Sequence, residues 1–331
     1  MNCLLILKMS RVTLVFRAPN SSFHSIENVF NSLQPHLNTK VLYLPFQSRG
    51  LFSRLKNILF LFKNRNRIIH ITGHDHYLLW YPFKNIILTI HDIEALKRKS
   101  GIKKWIFKKL WFDWPIRNAS LVTTISEFSK TEILGLRNYK TPIEVIYNPL
   151  TLPLVYSPKE FNSTEPRILH LGTKKNKNLS RTISALRGLS CHLTIIGNPD
   201  SGLLSLLKVH KIQHTIKANI SQKAIIEEYK NCDVVSFVST YEGFGLPIIE
   251  AQAIGRLVLT STISSMPEVA GEGALLVDPY SVEEIREGIL KIINDSELRE
   301  SLIARGLENV KRFEPAAIAR QYRELYKSVD K

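Results

Sequence analysis

Two acids bracket a glycine loop in Tyr241-Glu242-Gly243-Phe244-Gly245-Leu246-Pro247-Ile248-Ile249-Glu250. The apolar run Asp233–Val238 leads in and reads as a buried strand. Pro247–Ile254 reads as a short helix, with proline in its first turn and Gly255 just past its end. A strand, a glycine loop and a helix N-terminus together suit a phosphorylated or hydroxylated ligand. Helical side chains lean toward the N-terminus, so Glu250, expected in the first turn, points back to the loop. A carboxylate there is favoured by the helix dipole and can accept hydrogen bonds from two vicinal hydroxyls. Gly243 and Gly245 let backbone amides, those of Phe244 and Gly245 above all, approach a ligand closely.

A second loop has related chemistry. Gly172-Thr173-Lys174-Lys175-Asn176-Lys177-Asn178-Leu179 follows an apolar strand and opens a helix. Glycine permits the tight turn, and free amides with lysines suit a diphosphate. His91-Asp92 ends the strand Ile86–Ile90, where an imidazole can donate to a hydroxyl or a developing charge. His70, His74 and His76 gather near another strand end without a metal-like pairing, and His170, inside an apolar strand, reads as core. No metal site is expected.

The elements that must position these residues alternate strand with helix. Strands are expected at 11–16, 40–44, 67–71, 86–90, 121–124 and 143–147, then at 168–171, 193–196, 234–238, 257–260 and 274–277. Helices are expected at 26–33, 52–63, 102–116 and 127–136, then at 179–189, 221–230, 247–254, 282–294, 297–311 and 315–328. Such alternation implies parallel βαβ units, and the proline-bearing segment 148–166 reads as a linker. In open α/β sheets ligands bind beyond the carboxyl ends of strands, which draws in Thr72–Asp75, Gly197-Asn198 and Ser261–Glu268 as well.

The Glu242–Glu250 segment resembles the Glu-x7-Glu signature of family 4 glycosyltransferases, retaining enzymes of the GT-B fold. The similarity extends through Ala251-Gln252-Ala253, Ser264–Gly271 and Ala274–Pro279, covering the second half well and the first half more loosely. The resemblance implies an α/β chain of two Rossmann-like doubly wound domains facing a central cleft. Residues 1–155, joined by the C-terminal helix 315–331, would bind the acceptor, and 156–314 the nucleotide sugar. It assigns catalytic roles to Glu242, His91 and Lys177. Gly172, Thr173, Lys174, Lys175, Gly197, Gly243, Phe244, Gly245, Leu246 and Glu250 would bind the donor. Glu250 would hold the ribose and Glu242 the transferred sugar, while Lys177 matches the lysine that neutralises the leaving diphosphate. Asn176 stands where arginine is usual, and Lys174 or Lys175 would substitute. The glycine pair by which many relatives touch the acceptor is absent from Asn20–Glu27. Ser264–Glu268 fits both a wall of the donor site and a well-made turn.

The reaction implied is retaining transfer of a hexose-type sugar from a UDP- or GDP-sugar to a glycan or lipid-linked acceptor, as in cell-surface polysaccharide assembly. No carboxylate nucleophile presents itself and no Asp-x-Asp motif is present, so a metal-independent front-face route is expected, with no cofactor beyond the co-substrate. The alternatives are a GT-B sugar-nucleotide epimerase or phosphorylase, or a non-catalytic binding protein.

Charge adds a location. The 331-residue chain carries +16, and residues 1–160 hold 23 Lys/Arg against 9 Asp/Glu, whereas 161–331 hold 22 against 20. A basic first half faces a polyanion. Lys97–Lys109 has seven basic residues among thirteen, interleaved with aromatics. Ile102, Ile106 and Leu110 share a helical face near Trp105, which suits an anionic membrane surface through 97–117 and equally a helix packed on its own domain. Nucleic acid is not expected, because no recognition motif accompanies the charge. No apolar run nears the roughly 18 residues of a membrane span. Cys3–Leu7 is short for a signal peptide, and because Arg11–Phe16 reads as an ordinary opening strand, residues 1–8 are expected to be an extension with Met9 an alternative start. Scattered Cys3, Cys191 and Cys232 fit a reducing cytoplasm, and the basic segment suits a peripheral place on the inner face of the cell membrane.

Overall fold

The computed structural model describes residues 12–19, 25–37, 39–63 and 68–330. The expectations for Cys3, Met1 or Met9, Arg11, Arg67 and most of the Asn20–Glu27 loop lie outside these residues. The chain divides into an N-terminal unit, 1–151 with 314–331, and a C-terminal unit, 152–313.

In the N-terminal unit the strands are β1 (Val12–Phe16), β2 (Lys40–Tyr43), β3 (Ile68–Ile71), β4 (Ile86–Ile90), β5 (Leu121–Thr124) and β6 (Ile143–Val145). They form one parallel sheet in the order β2-β1-β3-β4-β5-β6. β1, β3, β4 and β5 are buried along their whole length, as continuous apolar runs covered on both faces must be. The helix Glu127–Leu136 starts where Ser126 Oγ accepts from the Ser129 amide at 3.0 Å. The closing helix Pro315–Val329 packs on the helix Ser25–Leu37, and Tyr326 Oη meets His70 Nδ1 at 2.8 Å.

The helix expected at 102–116 runs from Gly101 to Asn118, with a π-helical turn at Lys109–Asp113. That wide turn frees carbonyls that buried side chains use. Trp80 Nε1 donates to Leu110 O at 2.8 Å, and His76 Nδ1 donates to Trp111 O at 2.7 Å. Asp113 is buried there and accepts from Lys108 Nζ at 2.8 Å and Tyr139 Oη at 2.7 Å.

The C-terminal unit holds β7 (Arg167–Leu171), β8 (His192–Ile196), β9 (Gln213–Lys217), β10 (Val234–Phe237), β11 (Leu257–Ser261) and β12 (Leu275–Val277). The parallel order is β12-β11-β10-β7-β8-β9, the doubly wound order of dinucleotide-binding sheets. The helix Val282–Asn294 shows how pattern becomes packing: Ser281 Oγ caps it from the Glu284 amide at 3.1 Å, and Ile285, Ile289 and Ile292 fall on one buried stripe. Two elements were absent from the sequence expectations, β9 and the helix Ser201–Val209, and Met266–Ala270 is a short helix. β9 is an edge strand of polar, mostly exposed residues, so it carries no apolar run to find.

Three histidines in the N-terminal unit are fully enclosed. Burial lowers His70 and His76 to about 3 and His91 to about 4. Their folded values lie below the ordinary 6.5, so the unfolded chain takes up protons first as pH falls. The stability they confer is complete above pH 6.5 and is lost progressively down to about pH 4 for His91 and about pH 3 for His70 and His76, at up to about 1.4 kcal/mol per pH unit for each ring. All the tryptophans, Trp80, Trp105, Trp111 and Trp114, lie in this unit, so their fluorescence reports it selectively. The denaturant midpoint by tryptophan fluorescence should fall steeply between pH 7 and pH 5; a flat profile would contradict the burial.

Candidate active site

In the C-terminal unit the chain reverses its winding direction between β7 and β10, and ligands of such sheets bind where that switch opens beyond the strand ends. The two loops there are the ones singled out by residue type. Lys177 Nζ donates to Glu242 Oε1 at 2.7 Å, and Asn176 Nδ2 reaches the same oxygen at 3.3 Å and Tyr241 O at 3.0 Å. Asn178 sits in the left-handed region at φ 63 and donates to Val238 O at 3.0 Å and Pro279 O at 2.7 Å. Three consecutive side chains from the β7 loop therefore hold the ends of β10 and β12.

Glu242 is pinned from both sides. Its amide donates to Ser264 Oγ at 3.0 Å, and Ser265 Oγ donates to Glu242 O at 3.0 Å and Phe244 O at 2.6 Å. The Ser264–Glu268 turn thus braces the Glu242 loop. One carboxylate oxygen, Oε1, is occupied by Lys177 and Asn176; Oε2 has no partner among the described residues and can take ligand hydroxyls. Lys177 Nζ lies 4.8 Å from the centre of the Phe237 ring and has two further N–H groups to offer.

The glycines act through space as much as through φ. A Cβ on Gly172, at φ +91, would sit 2.9 Å from Lys177 Cγ, so glycine is what lets the Lys177 stem cross the turn. Gly245, at φ +115, would meet Ile248 Cδ1 at 3.1 Å. Gly197 lies against Thr173, whose hydroxyl donates to Asn198 O at 2.9 Å. Phe244 is buried against Phe313, with ring centres 5.7 Å apart, so its side chain is structural. Pro247 has no N–H and the Ile248 amide bonds Gly245 O, leaving the Gly245 and Leu246 amides at the mouth of the helix. Lys174 and Lys175 are exposed.

Glu250 differs from expectation. The helix begins at Leu246, which places Glu250 fifth and beyond the first turn, where the dipole has faded. Its orientation comes instead from Tyr229, whose buried hydroxyl donates to Glu250 Oε2 at 2.6 Å. Burial and the adjoining carboxylate raise the Tyr229 phenol well above its ordinary value, so it stays a donor.

In the N-terminal unit His91 also departs from its expected role as a donor. Its Nε2–H is spent on Thr72 O at 2.8 Å and the buried ring is neutral, leaving Nδ1 as an acceptor. The switch in this sheet lies between β1 and β3, and a cavity of about 330 Å³ opens there, lined by Arg17, Gln47, Ser48, Arg49, His74 and Asp75 among others. Asp75 was drawn in from sequence only as part of the strand-end segment Thr72–Asp75, with no role of its own. It is buried, burial raises its carboxyl above the ordinary range, and Ser48 Oγ donates to its Oδ1. The only signal available was its position after a strand end.

The glycosyl transferases group 1 family profile matches residues 157–309. The match lies wholly within the C-terminal unit. O-antigen chain mannosyltransferase B of Escherichia coli is 29% identical over 219 residues, 59% of this chain and 57% of that protein. The chain thus spans less than two thirds of that relative's length. Across 96% of the chain the fold is that of sucrose-phosphate synthase from Thermosynechococcus elongatus, at TM-score 0.77 and 18% identity over 98% of that structure. Anabaena HepE, solved with UDP and glucose, matches at TM-score 0.76 and 17% identity, with 96% and 99% covered. The fold is GT-B, built of two parallel-sheet α/β units.

Replacing Gly172 with alanine should cost about 1–2 kcal/mol for the left-handed backbone and more for displacing Lys177. Gly188→Ala, at φ +72 with nothing within 4 Å of the new Cβ, carries the backbone cost alone. Denaturant titration should find Gly172→Ala the less stable of the two; equal losses would show that the Lys177 contact does not matter.

Proposed function

We propose that this chain is a retaining glycosyltransferase moving a hexose-type sugar from a UDP- or GDP-sugar to a glycan or lipid-linked acceptor, without a metal. The observation that carries it is the Lys177–Glu242 pair at 2.7 Å, which joins both candidate loops at the switch point of the C-terminal sheet. Glu242 Oε2 accepts from hydroxyls of the donor sugar. The remaining N–H groups of Lys177, with the Gly245 and Leu246 amides, neutralise the departing diphosphate. Glu250, steadied by Tyr229, takes the ribose. Asn176 is engaged in bridging the loops, so Lys174 and Lys175 are the cations left to replace the usual arginine. The N-terminal unit holds the acceptor, and His91 contributes an acceptor nitrogen. In a front-face reaction the leaving phosphate takes the acceptor's proton, so catalysis is positioning and charge stabilisation. HepE, solved with UDP and glucose, supports a sugar-nucleotide donor.

In a thermal-shift screen of UDP-, GDP- and dTDP-sugars, one nucleotude class should stabilise the protein strongly. With that donor, Glu242→Ala should lower kcat/KM about a hundredfold, roughly 2.7 kcal/mol of transition-state stabilisation. Activity should persist in excess chelator. A strict divalent-metal requirement, or full activity in Glu242→Ala, would sink the proposal.

We further propose that the protein works on the cytoplasmic face of the cell membrane. No helix among the described residues is long and apolar enough to cross a membrane. The helix Gly101–Lys108 packs on its own domain through Phe107, which stacks on Trp111 with ring centres 5.2 Å apart, and leaves Ile102 67% and Trp105 57% exposed. Trp105, Ile106, Leu110 and Trp114 line one groove bordered by Lys109 and Arg117, with Ile102, Lys103 and Lys104 exposed on the same helix. An apolar face rimmed by lysines suits anionic lipid, each cation adding about 1 kcal/mol. The protein should float with anionic vesicles at low salt and less so with neutral ones, and Ile102→Ser/Trp105→Ser should weaken flotation. Equal flotation of the double variant would overturn this surface.

A further inference from the structure

The N-terminal unit has a second exposed apolar face. On the helix Leu51–Phe62, Leu51 is 57%, Phe52 82%, Leu55 43% and Leu59 67% exposed. These positions fall at i, i+1, i+4 and i+8, a single stripe. The chain enters this helix directly from Gln47, Ser48 and Arg49, which line the Asp75 cavity. Hydrogen bonds fasten stripe and cavity together. Buried Asn57, on the same helix, donates to Phe46 O and to Tyr77 Oη, both at 2.8 Å. Tyr77 Oη lies 2.8 Å from Ser48 Oγ, whose own proton goes to Asp75, so Tyr77 donates to Ser48. Arg54 completes the join, with Nε donating to Ser48 O at 3.3 Å and its guanidinium 4.7 Å from the Trp111 ring.

The polar end is built for hydroxyls. Asp75 is 8% exposed; its Oδ1 is taken by Ser48, while Oδ2 has no partner among the described residues and borders the cavity. Arg49 and Gln47, both exposed, add donors on the same wall. A smaller cavity of about 210 Å³, sharing His74 and Trp111 with the first, is lined by His76, whose Nε2 is buried without a partner. Acceptor atoms and donors lining one small cavity match a sugar, each of whose hydroxyls gives and takes a hydrogen bond.

We infer that the acceptor is amphiphilic: its sugar head seats in the Asp75 cavity and its hydrocarbon chain lies along Leu51, Phe52, Leu55 and Leu59. This rests on the transferase reading and selects the lipid-linked acceptor over a soluble glycan. The test is calorimetric titration of the whole chain with methyl and octyl glycosides of glucose and mannose, below micelle-forming concentrations. An octyl glycoside should bind at least tenfold tighter than its methyl counterpart. Gln47→Trp, which fills the cavity mouth from an exposed position, should weaken both at least tenfold. Asp75→Leu should do the same, and Asp75→Asn, which keeps an acceptor oxygen, should do so less. Leu55→Ser/Leu59→Ser should bring octyl affinity to within about threefold of methyl. Equal methyl and octyl affinities, octyl binding indifferent to Gln47→Trp, or no glycoside binding would each overturn the inference. Nucleotide thermal shift on the same preparation separates the two readings: a positive shift with negative glycoside results sinks the acceptor assignment alone, and loss of both sinks the transferase reading too.

Discussion

Everything in the C-terminal unit's site depends on one loop reaching over to another. A parallel sheet ties strands along their length but leaves the turns beyond their carboxyl ends free of the ladder. Asn176, Lys177 and Asn178 supply the missing tie, bonding Tyr241 O, Glu242, Val238 O and Pro279 O. Asn178 can do this because asparagine tolerates the left-handed backbone that turns its amide toward the strand ends. Gly172 then leaves room for the Lys177 stem. The serines of the β11 loop close the arrangement from the other side by holding the carbonyls of Glu242 and Phe244. The carboxylate and the ammonium are thus preorganised, which is how polar groups in a site act without a reorganisation cost.

The N-terminal unit solves a different problem, that of burying polar groups. His70 sits between Tyr326 and Thr89, and His91 gives its proton to Thr72 O. His76 is satisfied on one side by a carbonyl that the π-helical turn releases. Neutral rings with fixed tautomers follow from this, and they position the loops rather than carry charge. Among the polar atoms left over, one oxygen of Asp75 and one nitrogen of His76 border cavities.

Much of this was legible in the residues. Ile86–Ile90 and Leu121–Thr124 are strands with the expected bounds, as are the helices Glu127–Leu136 and Val282–Asn294, because apolar runs and capping serines are local signals. β9 escaped because a polar edge strand has no hydrophobic signature, and its pairing with β8 is what makes it a strand. The helix Ser201–Val209 did carry a signal, an aspartate cap at Asp200 ahead of spaced leucines.

The candidate site divides along the same line. By itself the sequence determined the two glycine loops, the acids and the lysine, since spacing around Gly, Pro and a strand end is written in consecutive residues. Only the tertiary structure decided that Lys177 meets Glu242, that Tyr229 orients Glu250, and that His91 is an acceptor. It alone brought Asp75, Ser48 and Asn57 into one network beside an exposed apolar helix. Each of these depends on partners from 19 to 65 residues away. Whether a polar group is spent or still available is settled by what packs against it, and no local pattern records that.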